Sequence, residues 1–376
     1  MGDIYNRIAQ SNNVVVKIGT RLLTFENGKL NLEYLEHISR KLAAVKNRGV
    51  QITLVSSGAI GAGVGRMNMP RRPQTMPEKQ AAAAVGQGLL IQMYEKFLSE
   101  YGHIAAQILL TRADFRNRER FNNASNTITT LLKWGVIPVI NENDTVSTEE
   151  IEFGDNDQLA ALVAGLIDAD VLINFTDTDG LYRGNPKEDP HAELIPLVEK
   201  ITPEIKKWAG DTSTSLGTGG MLAKVKAADM AVHSGVNVVI TNGRNVNNLT
   251  AVLQGEQKGT LFVAEDHYLS RRKRWIAYGK EIKGKIIVDN GAKNALLRGN
   301  KSLLPVGINQ VEGDFKRGDL VGVVDYQGEE FARGLVNFES RELKKIAKYP
   351  SHQVSSILGR EVLDEEVIHK DNLVLE

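Results

Sequence analysis

Five short runs rich in β-branched residues punctuate the first 260 positions: "VVVKI" (14–18), "QITLVS" (51–56), "VIPVIN" (136–141), "DVLINFT" (170–176) and "VNVVIT" (236–241). Each is parted from the next by a longer stretch with helical spacing. Between the first two, Leu32, Leu35, Ile38, Leu42 and Val45 recur at steps of three and four, which makes one apolar stripe to lie on a sheet. Strands joined by such helices run parallel and are covered on both faces. The expected fold is therefore α/β, a mostly parallel sheet sandwiched by helices, and ligands then collect at the carboxyl ends of its strands. Lys17 ends the first run at such a place. Its ammonium group either snorkels from a sheet edge or is held there for a ligand.

After about Gly259 the texture changes. A basic stretch, "RRKRW" (271–275), leads into short strand-like runs with closely spaced glycines, "GKIIVDNGAKNALL" and "GDFKRGDLVGVVDYQGEEFARGLVNF", the pattern of a second, small all-β barrel. The organisation read from this is an α/β domain over 8–260, a linker over 261–275, the barrel over 276–352 and a C-terminal helix or tail over 353–376. A length of 376 residues suits two such domains. The 46 basic residues balance 46 acidic ones, so no net field draws in nucleic acid or membrane. The absence of cysteine removes disulfides, thiolate nucleophiles and thiolate metal sites. The opening "MGDIYNRIAQSNN" has no apolar signal core, no run is long enough to cross a bilayer, and a cytoplasmic location without membrane attachment is expected.

Five constellations carry possible chemistry. "LVSSGAIGAGVG" (54–65) follows a strand and exposes backbone N–H groups where the next helix begins, around Ser57 and Gly58; it suits an anion or simply a tight strand-to-helix turn. "NENDTVS" (141–147) ends another strand, and Asp144 there is a natural partner for a substrate ammonium. In "FGDNDQLAALVAGLIDAD" one of Asp155, Asn156 and Asp157 caps the following helix, and at least one of the others is left to orient a substrate or a lysine. In "TDTDGLYRGNP", Thr176 and Asp177 lie where nucleotide oxygens can be met, whereas Asp179 with Gly180 reads as turn chemistry. "GTGGMLAKVKAADMAVHSG" (217–235) is a glycine-rich loop followed by a helix with Lys224 in its first turns, a point charge suited to phosphate oxygens. Lys226 points elsewhere, to solvent, and His233 suits the end of that helix.

Two lysines, two glycine-rich loops and several carboxylates near strand ends, with no cysteine and no serine–histidine triad, suit phosphoryl transfer by positioning and electrostatics. None of the seven histidines has metal-ligand spacing. Magnesium is expected because ATP brings it, with its protein ligands open.

These motifs, in this order and spacing, resemble those of the glutamate 5-kinases, a branch of the amino acid kinase superfamily, over about residues 10–260. The segment with "VDNGAKNALLRGNKSLLPVGI" and "GDFKRGDLVGV" resembles a PUA domain, a small β-barrel also found in RNA-modifying enzymes. The resemblance implies ATP-dependent phosphorylation of the side-chain carboxylate of L-glutamate in proline biosynthesis, with inhibition by proline at an overlapping pocket. Lys17 and Lys224 then hold and stabilise the γ-phosphoryl group, and Asp157 orients them. Ser57, Gly58, Asp144 and Asn156 form the glutamate pocket. Thr176 and Asp177 meet the nucleotide, and Gly217, Thr218, Gly219, Gly220 and Met221 cover its phosphates. Phe175 departs from the aliphatic residue common in the family. The resemblance also implies a homodimer or homotetramer and hand-off of product to glutamate 5-semialdehyde dehydrogenase. Other small acids of the superfamily, or RNA bound through the barrel and "RRKRW", are the alternatives.

Overall fold

The first β-branched run becomes strand β1 (Asn13–Ile18), near the middle of an eight-stranded sheet. The computed structural model describes residues 2–146, 156–186, 188–189, 191–210, 220–264, 276, 282–298, 301–362 and 365–375. It divides into two units, Met1–Asp114 with Glu119–Tyr268, and Leu269–Glu376 with Phe115–Arg118.

In the first unit the described strands are β1, β2 (Gln51–Ser56), β3 (Ala105–Leu110), β4 (Ile137–Glu142), β5 (Val171–Thr176), β6 (Leu197–Val198), β7 (Asn237–Asn242) and β8 (Thr260–Phe262). Their order is β3-β4-β2-β1-β5-β7-β8-β6, and every neighbouring pair is parallel except β7–β8. From β1 the chain winds to one side through β2, then returns to the other side through β5. That reversal opens a crevice at the carboxyl ends of β1, β2 and β5, the place where open α/β sheets bind ligands.

Strand alternation decides what faces the crevice. Val14, Val16 and Ile18 enter the core with Leu35, Ile38, Leu42 and Val45 of the helix Leu32–Lys46, which Asn31 caps by accepting the Tyr34 N–H at 3.1 Å. Lys17 is thereby turned to the opposite face, under the helix Asn156–Leu166. Strand β3, "AAQILL", was not among the expected runs: it has one β-branched residue, and it lies at the sheet edge, where packing rather than propensity makes it a strand. The short β6 and β8 likewise carry too few residues for a periodic signal.

Two helices that follow β2 touch backbone to backbone. A Cβ on Gly86, in the helix Met76–Ser99, would lie 1.8 Å from the carbonyl oxygen of Ala59, the first residue of the helix Ala59–Arg66. One on Gly63 would lie 1.9 Å from the carbonyl oxygen of Ala82. Glycine at both positions permits a crossing that any side chain would push apart.

In the second unit, β9 (Ile282–Val288), β10 (Ile308–Gly313), β11 (Leu320–Val324), β12 (Glu330–Leu335) and β13 (Leu373–Leu375) form a sheet in the order β10-β9-β11-β12-β13, parallel only between β9 and β11. The stretch after Pro350 docks on this core: Val354, Val367, Ile368 and Leu373 are buried in it, and β13 extends the sheet. "RRKRW" lies outside the described residues.

A charged staple closes the β11–β12 turn. Asp325, 3% exposed, accepts Lys293 Nζ at 2.8 Å on one oxygen and the backbone N–H groups of Gln327 and Glu329 on the other. The Lys293 hydrogen bond, helped by the two backbone donors, outweighs burial and holds the Asp325 carboxyl below the usual carboxylate range. A depressed folded value means that this stabilisation is complete above the unfolded value and lost as pH falls through the folded one. Lys293→Met is expected to lower the thermal midpoint at neutral pH, and to lose less stability than the parent on acidification below about pH 4. Unfolding followed across that range checks both signs.

Candidate active site

Register brings the first charged group into place. Lys17 on β1 pairs with Asn174 on β5, so the two side chains stand side by side on one face of the sheet. Above them the helix Asn156–Leu166 presents Asp157 in its first turn, with no exposure to solvent. Lys17 Nζ lies 2.6 Å from Asp157 Oδ1, and Asn174 Nδ2 donates to the same oxygen at 2.8 Å. The other oxygen, Oδ2, takes Lys224 Nζ at 2.9 Å. Lys224 comes from the start of the helix Met221–Val232, which opens at Gly220. Two buried ammonium groups from opposite ends of the domain thus share one carboxylate. These three groups together carry one excess positive charge, out of bulk water, where a charge acts over distance far more strongly.

Beside this cluster lies a polar wall. The chain leaves β2 through Ser57 and turns into its helix at Gly58, whose φ of 97° is a left-handed conformation that favours glycine. Asn156, one residue before Asp157, reaches across: its Nδ2 lies 3.0 Å from the Ser56 carbonyl oxygen, 3.0 Å from Ser57 Oγ and 2.8 Å from Asn141 Oδ1. Of the three polar residues at this helix start, Asn156 and Asp157 therefore serve different neighbours, while Asp155 lies outside the described residues. Asp144 is half-buried in the turn after β4, at the same end of the sheet. Asn141 and Gln87 join the wall and were not singled out from the sequence. The one signal for Asn141 was an amide closing the apolar run "VIPVI"; Gln87 sits in an alanine-rich helical stretch with no signal at all.

On the far side of β1, Thr176 ends β5, and its Oγ1 donates to Asp177 Oδ1 at 3.3 Å. Burial pushes the Asp177 carboxyl up, but the Arg21 guanidinium, 2.8 Å from Oδ2, and the further hydrogen bonds outweigh it and leave the group below the usual range. Asp179 is held by Asn242 and Tyr182, consistent with a structural turn. Next to it a cavity of about 560 Å³ opens at the carboxyl end of β7, lined by Asp179, Thr241, Asn242, Arg244, Asn248 and Lys258 among others. Gly217, Thr218 and Gly219 lie outside the described residues; Gly220 and Met221 begin the Lys224 helix. Lys226 is exposed, and His233 closes that helix with Nδ1 2.7 Å from the Asp229 carbonyl oxygen. Among the described residues no trio of histidine, aspartate or glutamate is grouped to hold a metal ion.

The cluster can be tested as a unit. Asp157→Ala leaves two buried ammonium groups facing one another, a change expected to cost about 3–5 kcal/mol of stability. Thermal unfolding measures it, and Lys17→Met combined with Asp157→Ala should recover part of the loss because one stranded charge is removed.

The chain matches the amino acid kinase family over residues 12–242 and the PUA domain over residues 284–358. It is 51% identical to the glutamate 5-kinase of Thermoanaerobacter sp. (strain X514), over 96% of this chain and 97% of that protein. Identity is 52%, over the same shares, to the glutamate 5-kinase of Caldanaerobacter subterraneus subsp. tengcongensis. It is 48% to that of Moorella thermoacetica, over 98% of this chain and 97% of the relative. A UMP kinase from Bacillus anthracis of known structure aligns with 68% of this chain at 14% identity and a TM-score of 0.48. Near-full-length identity at this level, together with the family match, places the chain in the amino acid kinase family, among the glutamate 5-kinases.

Proposed function

We infer that this protein transfers the γ-phosphoryl group of ATP to the side-chain carboxylate of L-glutamate, giving L-glutamyl 5-phosphate and ADP, the first step of proline biosynthesis. The observation that carries the reading is the sharing of buried Asp157 by Lys17 and Lys224, in a chain half identical to glutamate 5-kinases along nearly its whole length.

The chemistry asks little covalent work of the protein. A glutamate side chain with a pKa of about 4.3 is ionised at neutral pH and attacks phosphorus without a general base. What must be supplied is alignment, and positive charge for the three equatorial oxygens of the migrating group. Lys17 and Lys224 supply the charge, and Asp157, tied also to Asn174, keeps both ammonium groups aimed at one region. Because the cluster is preorganised, no reorientation is needed as charge develops. Magnesium, when bound on the nucleotide's own phosphate oxygens, neutralises further charge there.

The glutamate backbone groups fall to Ser57, Gly58, Asn156 and Asp144, with Asp144 opposite the α-ammonium. Thr176 and Asp177 meet the nucleotide, whose nucleoside end takes the neighbouring cavity, and the loop from Gly217 to Met221 covers the phosphates. The acyl phosphate is labile, which favours prompt reduction by glutamate 5-semialdehyde dehydrogenase. Inhibition by proline in the glutamate pocket, assembly as a dimer or tetramer, and a cytoplasmic location complete the reading.

Protein incubated with ATP, magnesium, glutamate and hydroxylamine should yield glutamyl hydroxamate; no hydroxamate from folded protein rejects the activity. Lys224→Met is expected to reduce kcat by about 10²–10³ while the glutamate KM stays within a few-fold, as removal of a transition-state contact requires. Asp144→Asn should instead raise the glutamate KM by about 10–100-fold through loss of a charge-assisted hydrogen bond. An unchanged KM removes Asp144 from the ammonium site.

A further inference from the structure

Hydrogen-bond sense at the polar wall is decided by backbone groups that can act in only one way. The Glu142 N–H can only donate, and it does so to Asn141 Oδ1 at 2.9 Å. The Ser56 carbonyl can only accept, and it takes Asn156 Nδ2 at 3.0 Å. Between these anchors Asn156 Nδ2 also donates to Asn141 Oδ1, so the orientation of both amides is fixed. Asn141 Nδ2 must then point away from Asn156, and there it donates to Gln87 Oε1 at 2.7 Å. Along the row, Asn156 thus donates to Asn141 and Asn141 to Gln87, while Asn156 Nδ2 also donates to Ser56 and Ser57.

The other end of the row faces the pocket. Ser57 Oγ accepts from Asn156 Nδ2 at 3.0 Å, which leaves the one hydroxyl hydrogen of Ser57 to be given elsewhere. Asn156 has two amide hydrogens facing three protein acceptors, so the atom it can offer a ligand is its oxygen. The wall thus presents a hydroxyl donor, suited to a carboxylate, beside an amide acceptor, suited to an ammonium group.

Gln87 is placed to keep the Asn141 amide where these anchors meet it. It is 8% exposed, and its chain neighbour Gly86 is the residue whose Cα faces the Ala59 carbonyl oxygen, so the helix cannot shift without moving the turn at Ser57 and Gly58. Its Oε1 is the partner of Asn141 Nδ2; its own Nε2 is buried and makes no hydrogen bond among the described residues, a further donor at the same wall. Without Gln87, Asn141 Nδ2 would be a buried donor with no partner, and a shift of Asn141 to reach one would draw Oδ1 from Asn156, leaving that amide held by Ser56 and Ser57 alone and able to turn from the position in which it holds the Ser57 hydroxyl.

We propose that Gln87 is a substrate-positioning residue, which through Asn141 and Asn156 holds the Ser57 hydroxyl as a hydrogen-bond donor to the carboxylate of a bound amino acid. This rests on the reading of Ser57 and Asn156 as the glutamate pocket. It acts through other residues and touches no reacting atom, so its signature is in substrate affinity rather than turnover.

The test is steady-state kinetics on the full chain. Gln87→Met, close in volume and apolar, should raise the glutamate KM about tenfold with kcat and the ATP KM within about threefold. In a Ser57→Ala background the same substitution should add less than about twofold, because the path is already broken. Should Gln87→Met not fold, as circular dichroism will show, Gln87→Ala is read in the same two backgrounds. A glutamate KM unchanged by the substitution, or an equal rise in both backgrounds, overturns the proposal while leaving the kinase activity standing. Absence of glutamyl hydroxamate from the parent protein overturns both.

Discussion

One buried carboxylate holds this site together. Asp157 receives Lys17 from β1, Asn174 from β5 and Lys224 from a helix that begins more than sixty residues later. Burying three charges is costly, and attraction within the group offsets that cost only when the geometry is good and the remaining lone pairs are satisfied. Here both oxygens of Asp157 are engaged at 2.9 Å or less. The arrangement also leaves a surplus of positive charge among the three groups, away from bulk water, which in the proposed reaction serves the phosphoryl group in transit. The same interaction therefore orders the fold at the switch point and, in the proposed reaction, prepares the chemistry.

Why the charges gather there follows from topology. An open parallel sheet has its crevice where the winding reverses, and here that is β1 with β2 on one side and β5 on the other. The β2 side carries Ser57, Gly58 and the amide row through Asn156, Asn141 and Gln87. The β5 side carries Thr176, Asp177 and, beside β7, the cavity with Arg244 and Lys258. In the proposed reaction the two substrates approach from the two sides and meet above Lys17. The division between the polar wall on one side and the larger cavity on the other is thus a consequence of strand order, and the proposed reading gives the first to the amino acid and the second to the nucleotide.

Much of this was legible in the chain. The five β-branched runs became strands β1, β2, β4, β5 and β7 within a residue of their expected bounds, since strands buried on both faces need unbroken apolar side chains. Lys17 and Lys224 stood out because ammonium groups next to glycine-rich turns at strand ends have few structural uses. Edge strand β3 did not, because an alanine-rich run signals nothing until a neighbouring strand supplies hydrogen bonds. Gln87 was hidden for a related reason: within "AAAAVGQGLL" it looks like a surface residue, and only the glycine crossing at Gly86 buries it.

By itself the amino-acid sequence determined the layers, the strand ends and the kinds of group available there, because hydrophobic period and turn chemistry act over a few residues. Period and turn chemistry alone did not decide which of Asp155, Asn156 and Asp157 would meet the lysines; only the family resemblance pointed to Asp157. Successive positions on a helix point about 100° apart, so one residue of phase separates a side chain facing Lys17 from one facing Ser57. That phase was set only when β1, β2, β5 and two distant helices closed around the crevice, and with it the direction in which each buried amide donates.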